Sequence, residues 1–199
     1  MEDAINISLF FGGLTLFFAA HFFTTFRPRG ERDIRERMGR GPYMGLYSLV
    51  SLAGFVAMVW GFAGIKPWIP LWHPPLWSRH VTMALMLPAF VLLVAAYTPT
   101  GFIKKAVGHP MLIAVLLWSL GHLIANGDLA GIALFGAFFV YSLVDRFAVR
   151  ARGDRGPKPA SPSILGDMIA VAIGLAVYGL FIYDLHDRLI GIPLIVVDS

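Results

Sequence analysis

Long apolar runs alternate with short polar segments along this 199-residue chain. A helix needs about 20 apolar residues to cross a hydrocarbon core about 30 Å thick. Runs of about that length predict membrane helices over residues 5–26, 43–65, 81–97, 110–126, 129–144 and 164–183. Five of them lack Asp, Glu, Lys and Arg, and the last carries Asp167 near its start. The pattern predicts an all-α, polytopic integral membrane bundle of about six transmembrane helices, with residues 1–199 as one domain.

Composition strengthens this prediction. Hydrophobic residues make up 57% of the chain and charged residues 14%, whereas soluble domains contain roughly 45–50% and about 25%. A soluble fold of this length has no interior large enough for so much apolar surface, so membrane lipids are the expected surroundings.

The basic residues predict the orientation of the helices, because short cytoplasmic loops collect Lys and Arg. Thirteen of the sixteen lie in the first, third and fifth connections: Arg27, Arg29, Arg32, Arg35, Arg37, Arg40, Lys104, Lys105, Arg146, Arg150, Arg152, Arg155 and Lys158. This bias predicts that both termini lie outside the cytoplasm, which for a bacterial inner membrane is the periplasm. The charges form loop clusters rather than one basic face, so we expect no nucleic-acid partner.

Turn chemistry joins the fourth and fifth predicted helices. Only Gly127 and Asp128 separate the two apolar runs. Asn and Gly commonly end a helix, and Asp commonly caps the next one. We therefore expect a tight antiparallel helical hairpin in which Asp128 caps the fifth helix. Residues 152–163, rich in Gly and Pro, are interpreted as a linker before the last helix.

Histidine is the main candidate for chemistry inside the bundle. Cysteine is absent, which excludes disulfides, Cys-ligated zinc, iron–sulfur clusters and thiol nucleophiles. Imidazole is then the natural ligand for a transition metal or a haem iron. The candidates within or beside the predicted helices are His21, His80, His109 and His122, with Asn126 one turn beyond His122 as a hydrogen-bonding neighbour. The plain alternative for any one of them is a histidine bonded to a neighbouring helix or to water.

Spacing limits how these histidines can combine. His109 and His122 are 13 residues apart on one helix, about 20 Å at 1.5 Å per residue, so they cannot both ligate one iron. His21 lies toward the cytoplasmic side and His122 toward the outer side, about 10 Å apart in depth. Depth alone favours His80 with His122, or His21 with His109.

Several blocks of sequence resemble the NnrU family. The matching blocks are His21 with Arg27-Pro28, GRGPYMGLYSLVS from Gly39, Pro74-Pro75 with Arg79-His80, LMLPAFVLLVAAY from Leu85, and HPM…LW…GHLIANGD from His109 to Asp128. Together they cover roughly residues 20 to 150, and the last block is the most specific.

The resemblance implies a cofactor and its ligands. The family is named after a gene associated with nitrite and nitric-oxide reduction in denitrifying bacteria. Its members are similar to the plastid 15-cis-zeta-carotene isomerase, a membrane enzyme that uses haem b with histidine ligation. Carried over by position, the isomerase's ligands fall on His21 and His122, and its His-Pro on His109. The isomerase has Cys shortly before the second ligand, where this chain has Ser119 and Leu120, so a Cys-dependent ligand switch is not expected.

Two functions from different classes follow. The first is a haem-b-binding membrane protein linked to denitrification and nitrogen-oxide metabolism, or to haem-dependent isomerisation of a lipophilic polyene substrate. The second is a membrane S-adenosylmethionine-dependent methyltransferase of the isoprenylcysteine or phospholipid type, whose site also uses His-Pro at a helix start. This chain has Gly108 where those enzymes commonly carry Arg, which weakens the second function.

Overall fold

The computed structural model describes residues 2–65, 68–157 and 161–195. Helices dominate these residues, and none of the described ranges contains a strand. The helices are α1 (Glu2–Phe26), α2 (Ile34–Met38), α3 (Arg40–Gly64), α4 (Trp77–Tyr97), α5 (Phe102–Val107), α6 (Pro110–Ala125), α7 (Leu129–Ala151), α8 (Ile164–Leu180) and α9 (His186–Ile190). A short 3-10 turn, Gly30–Arg32, precedes α2, and one π-helical turn, Phe181–Leu185, joins α8 to α9.

The prediction of an all-helical membrane protein is confirmed. Across the described residues, five helices are long and apolar enough to cross a membrane: α1, α3, α4, α7 and the continuous segment Ile164–Ile190. The predicted fourth span corresponds to α6, whose 16 residues extend only about 24 Å. The fifth span was predicted too short, because α7 continues past Asp145 to Ala151. Charged residues end an apolar run without ending the backbone hydrogen bonding of a helix.

The chain forms two compact units. The first consists of the residues up to His73 together with Asn126–Arg152, and the second of Pro74–Ala125 and the residues from Gly153 on. In the first unit α3 and α7 both pack on α1, and in the second α6 and α8 both pack on α4. The two helices of the expected hairpin, α6 and α7, belong to different units, and each packs on a partner within its own unit.

Glycines set the contact between α1 and α3 in the first unit. A Cβ on Gly13 would lie 2.7 Å from the carbonyl oxygen of Gly54, and one on Gly54 would lie 2.7 Å from the backbone nitrogen of Phe17. Such approaches are far closer than van der Waals contact, so only glycine allows these backbones to meet. The fully buried side chains of Phe10 and Met58 fill the adjoining core.

The turn before α7 has the predicted cap. Asp128 accepts a hydrogen bond from the backbone N–H of Gly131 at 2.7 Å. Within the first unit this turn also pairs with the connection after α3, because Leu71 N–H donates to the Gly127 carbonyl (2.7 Å) and Leu129 N–H to that of Ile69 (2.9 Å). These bonds hold the start of α7 and the residues after α3 at the same end of the unit.

Hydrogen bonds also tie the second unit together. Thr82 of α4 donates to the carbonyl of Gly121 in α6 at 2.7 Å, and Tyr178 of α8 donates to the carbonyl of Met83 at 3.0 Å. Asp167 accepts hydrogen bonds from the first two backbone N–H groups of α5, at 2.8 and 3.0 Å. The acidic residue inside the sixth predicted span is thus a helix cap supplied by a neighbouring helix.

Candidate functional site

His21 lies in α1, partly buried in the first unit. Its Nδ1 is 2.7 Å from the carbonyl oxygen of Phe17, one turn earlier in the helix. A carbonyl can only accept, so Nδ1 carries the proton and donates. The lone pair of the neutral ring is then on Nε2, the nitrogen that points away from this anchor.

Aromatic rings surround His21. Phe17 stacks on it with ring centroids 4.0 Å apart, and Tyr47 of α3 and Tyr141 of α7 have centroids at 5.4 and 5.3 Å. The three long helices of the first unit, α1, α3 and α7, therefore each contribute a ring to its surroundings. Such packing restricts the rotamer of the imidazole and keeps its environment largely apolar.

A polar contact lies one turn beyond His21 on α1. The hydroxyl of Thr25 donates to Asp145 Oδ1 of α7 at 2.8 Å and lies 3.1 Å from the carbonyl oxygen of His21. Thr25 is only 4% exposed, so this bond is shielded from solvent. It fixes the rotation of α1 against α7 at the turn that carries His21. The sequence analysis missed both residues, since they are 120 positions apart.

His122 in α6 repeats the geometry of His21. Its Nδ1 is 2.8 Å from the carbonyl oxygen of Trp118, again four residues earlier, and the ring centroids of the two residues are 5.3 Å apart. The same argument gives the Nδ1-protonated tautomer, with the lone pair on Nε2. The predicted ligand pair thus consists of two histidines anchored in the same way, one in each unit.

Anchoring of this kind suits a metal ligand. A histidine that binds a metal through one nitrogen almost always donates the other N–H to a carbonyl, carboxylate or water, which fixes the tautomer and the ring orientation. Both His21 and His122 meet this requirement through backbone carbonyls. Nε2 is a common ligand atom for iron in haem proteins, so this donor set fits haem b.

The other candidates differ from this pair. His80 is exposed in the first turn of α4. His109 precedes α6, and its Nε2 lies 3.2 Å from the carbonyl oxygen and 3.4 Å from Oδ1 of Asp154. Asn126 directly follows α6 and belongs to the first unit. Ser119 is completely buried and donates to the carbonyl of Val115 in its own helix at 2.7 Å.

The arginine-rich connection after α1 contains a buried ion pair. Arg27 pairs with Asp33, and both side chains are nearly inaccessible. The hydrogen bond from Arg27, together with the backbone N–H of Arg35, lowers the pKa of Asp33 below its usual value despite partial desolvation. Asp33 also accepts from the N–H of Arg35 to cap α2. The charge of Arg27 is therefore neutralised by a buried ion pair within the connection.

Among the described residues, no group of three or more His, Asp and Glu side chains could hold a metal ion. The fold and these sites define a polytopic helical membrane protein with two histidines whose rings are held by backbone carbonyls. The chain belongs to the NnrU protein family, whose sequence description matches residues 9–194, nearly the whole chain. No curated protein and no solved structure matches it.

Proposed function

We propose that this protein binds haem b in a bacterial inner membrane, with His21 and His122 as axial ligands. The observation that carries the proposal is their shared anchoring, Nδ1 to the carbonyl four residues earlier. The resemblance of the family to a haem-dependent isomerase supports the same pair. When bound, the haem would supply redox or ligand-exchange chemistry for nitrogen-oxide metabolism or for isomerisation of a lipophilic polyene.

The chain's own groups would orient the ligands and limit access. The carbonyls of Phe17 and Trp118 hold the two rings in the tautomer that presents Nε2. Around His21, the rings of Phe17, Tyr47 and Tyr141 reduce the access of water. Apolar surroundings of this kind would tune the reduction potential of a bound haem, because they lower the local dielectric constant.

We also propose that α6 makes a sixth crossing, which brings both termini to the periplasmic side. The turn before α7 is hydrogen-bonded to residues 69 and 71, which precede α4. Because α4 leaves that side of the membrane, α6 must return to it. Without this crossing, the basic residues between α7 and α8 would lie opposite those of the first connection, against the usual bias.

Reporter fusions test this orientation. Alkaline phosphatase fused between Gly30 and Gly41 is expected to be inactive, because the enzyme folds only outside the cytoplasm, and a fusion after Asp128 is expected to be active. An active fusion in the Gly30–Gly41 connection would reverse the orientation. If both fusions report the same side of the membrane, α6 does not cross it.

An absorption spectrum of the protein, purified after haem-replete expression, tests the cofactor. We expect a Soret band from six-coordinate, low-spin ferric haem, since two imidazoles impose a strong field. His122→Ala is expected to abolish or severely weaken haem binding, whereas His73→Ala, at an exposed residue of the connection after α3, is the control that is expected to leave it unchanged. An intact Soret band in His122→Ala would refute this ligand. No Soret band in the wild type would refute the cofactor and favour the methyltransferase, which binding of S-adenosylmethionine would then test.

The second ligand is tested by spin state. His21→Ala is expected to convert the haem to high spin without removing it, while His80→Ala is expected to leave the spin state unchanged. The opposite result would assign the second ligand to His80, as depth alone favours. His109→Ala tests the remaining pairing, and we expect it to retain the low-spin spectrum because its Nε2 already faces Asp154.

A further inference from the structure

Two arginines lie at the carboxyl end of α1, in the first unit. Arg29 donates through its two terminal nitrogens to the carbonyls of Arg27 (3.1 Å) and Thr24 (3.0 Å). Arg152, which follows α7, donates to the carbonyl of Thr25 at 2.9 Å. Their guanidinium groups are thus anchored at neighbouring carbonyls, one helical turn beyond His21.

Neither of these arginines has a carboxylate partner. Among the described residues, no Asp or Glu lies within 4.0 Å of the guanidinium nitrogens of Arg29 or Arg152, in contrast to Arg27, which pairs with Asp33. Partial desolvation, followed by the charges of Arg27 and Arg152, lowers the pKa of Arg29. The positive charges therefore act on one another without a neutralising acid in contact.

The helix itself cannot balance these charges. The carboxyl end of an α-helix carries the equivalent of about −0.5 of an elementary charge. Two guanidinium groups contribute +2, the Arg27–Asp33 pair is neutral, and Asp145, which accepts from Thr25 in the last turn of α1, contributes −1. The end of α1 therefore keeps an excess of about +0.5. Since a guanidinium has five N–H donors, both side chains also retain donors for an external acceptor.

We propose that Arg29 and Arg152 form a binding site for an anionic oxygen group, a carboxylate or a phosphate. One source is a propionate of the haem ligated by His21, and this source rests on the proposed function. The other is the phosphate of an anionic phospholipid at the inner surface of the membrane. Guanidinium groups bind both through paired, charge-assisted hydrogen bonds.

The test uses Arg29→Gln, Arg152→Gln and the double variant of the full-length protein. Arg37→Gln is the matched control, because Arg37 is an exposed arginine of the same connection. Arg29→Lys with Arg152→Lys keeps both charges. Circular dichroism and thermal unfolding in detergent report whether each variant folds.

The first measurement is haem affinity, by titration of the haem-free protein. Loss of a hydrogen bond to a charged group costs about tenfold or more in affinity, so we expect the double Gln variant to bind haem at least about tenfold more weakly. The second is the shift in thermal unfolding produced by phosphatidylglycerol, compared with phosphatidylcholine. A phosphate site predicts that the double Gln variant loses the shift specific to phosphatidylglycerol.

The outcomes separate the two sources. Weaker haem binding with an unchanged lipid shift identifies the propionate, and loss of the lipid shift with unchanged haem affinity identifies the phosphate. In either case the Lys variant should recover most of the effect, and Arg37→Gln should behave as wild type. A double Gln variant that unfolds earlier but keeps both responses would overturn the anion site and leave only helix capping. If the wild type binds no haem, the proposed function fails, and the lipid measurement still decides whether Arg29 and Arg152 bind a phosphate.

Discussion

Substitution of Gly13 by Ala tests the close contact between α1 and α3. A Cβ at this position would meet the backbone of Met58, lie 2.7 Å from the carbonyl oxygen of Gly54 and lie 2.9 Å from the carbonyl carbon of Ala57. Ordinary contacts are about 3.5 Å or longer, so the helices must separate by at least about 0.8 Å. These three nearest atoms cannot rotate away, since all of them belong to the backbone.

The magnitude follows from two opposing effects. Overpacking typically costs about 1–3 kcal/mol, and a clash with backbone places Gly13→Ala near the upper value. Ala is a better helix former than Gly by about 1 kcal/mol, which offsets part of the cost. We therefore expect a net loss of about 2 kcal/mol in the free energy of unfolding.

The neighbouring Gly12 is the matched control. A Cβ there meets nothing within 4 Å, so Gly12→Ala keeps only the gain in helix propensity, about 1 kcal/mol. Unfolding by SDS in mixed micelles, followed by circular dichroism, should separate the two variants by about 3 kcal/mol. Equal stabilities of the two variants would show that the α1–α3 backbones are not in contact.

Three further predictions concern polar contacts. Thr25→Val should lower stability by about 0.6–1.7 kcal/mol, the usual range for an interhelical hydrogen bond in a membrane, whereas Thr25→Ser should retain the bond to Asp145; SDS unfolding measures both. Arg27 lowers the pKa of Asp33, so their ion pair stabilises the folded state fully above the unfolded pKa of about 3.9. This stabilisation is lost as the pH falls through the lower folded pKa. Acid unfolding should therefore become less pH-dependent in Asp33→Asn. Asp167→Leu should speed amide exchange at Phe102 and Ile103, and Asp167→Asn, which keeps an acceptor, should not.

The positions of the helices were predictable because lipid imposes a simple rule. Each crossing must satisfy its backbone hydrogen bonds internally and present apolar side chains, so long apolar runs identify α1, α3, α4 and α7. Asp145 shows where the rule fails. It ended the predicted fifth span, although the helix continues for six more residues, because a charge marks the end of apolar surface rather than of the helix.

Helix partners were not predictable from the pattern. In a soluble bundle a polar face marks the side that meets water, but lipid-facing and protein-facing sides are both apolar here. The turn Asn126–Asp128 correctly predicted a cap, and short connections usually join neighbouring helices. Yet α7 packs on α1 and α6 packs on α4. The glycines at positions 13 and 54 direct the pairing of α1 with α3, and nothing in their spacing identifies the partner.

The candidate site was predictable to the extent that it is local. A histidine in a helix can reach the carbonyl four residues earlier, so the anchoring of His21 and His122 depends on one turn of sequence. The bond between Thr25 and Asp145 depends on the packing of α1 against α7 and leaves no local trace. The group that orients each histidine ring was therefore predictable from the sequence, whereas the residues that hold the helix in place were not.

The basic residues illustrate a further distinction. The orientation rule counts every Lys and Arg residue equally, but three of the arginines make different kinds of contact in the structure. Arg27 is buried against Asp33, while Arg29 and Arg152 donate to carbonyls at the end of α1. Charges that end a helix in this way contribute to topology and to packing at once. Their loss should therefore affect the fold of the first unit even where the orientation in the membrane is unchanged.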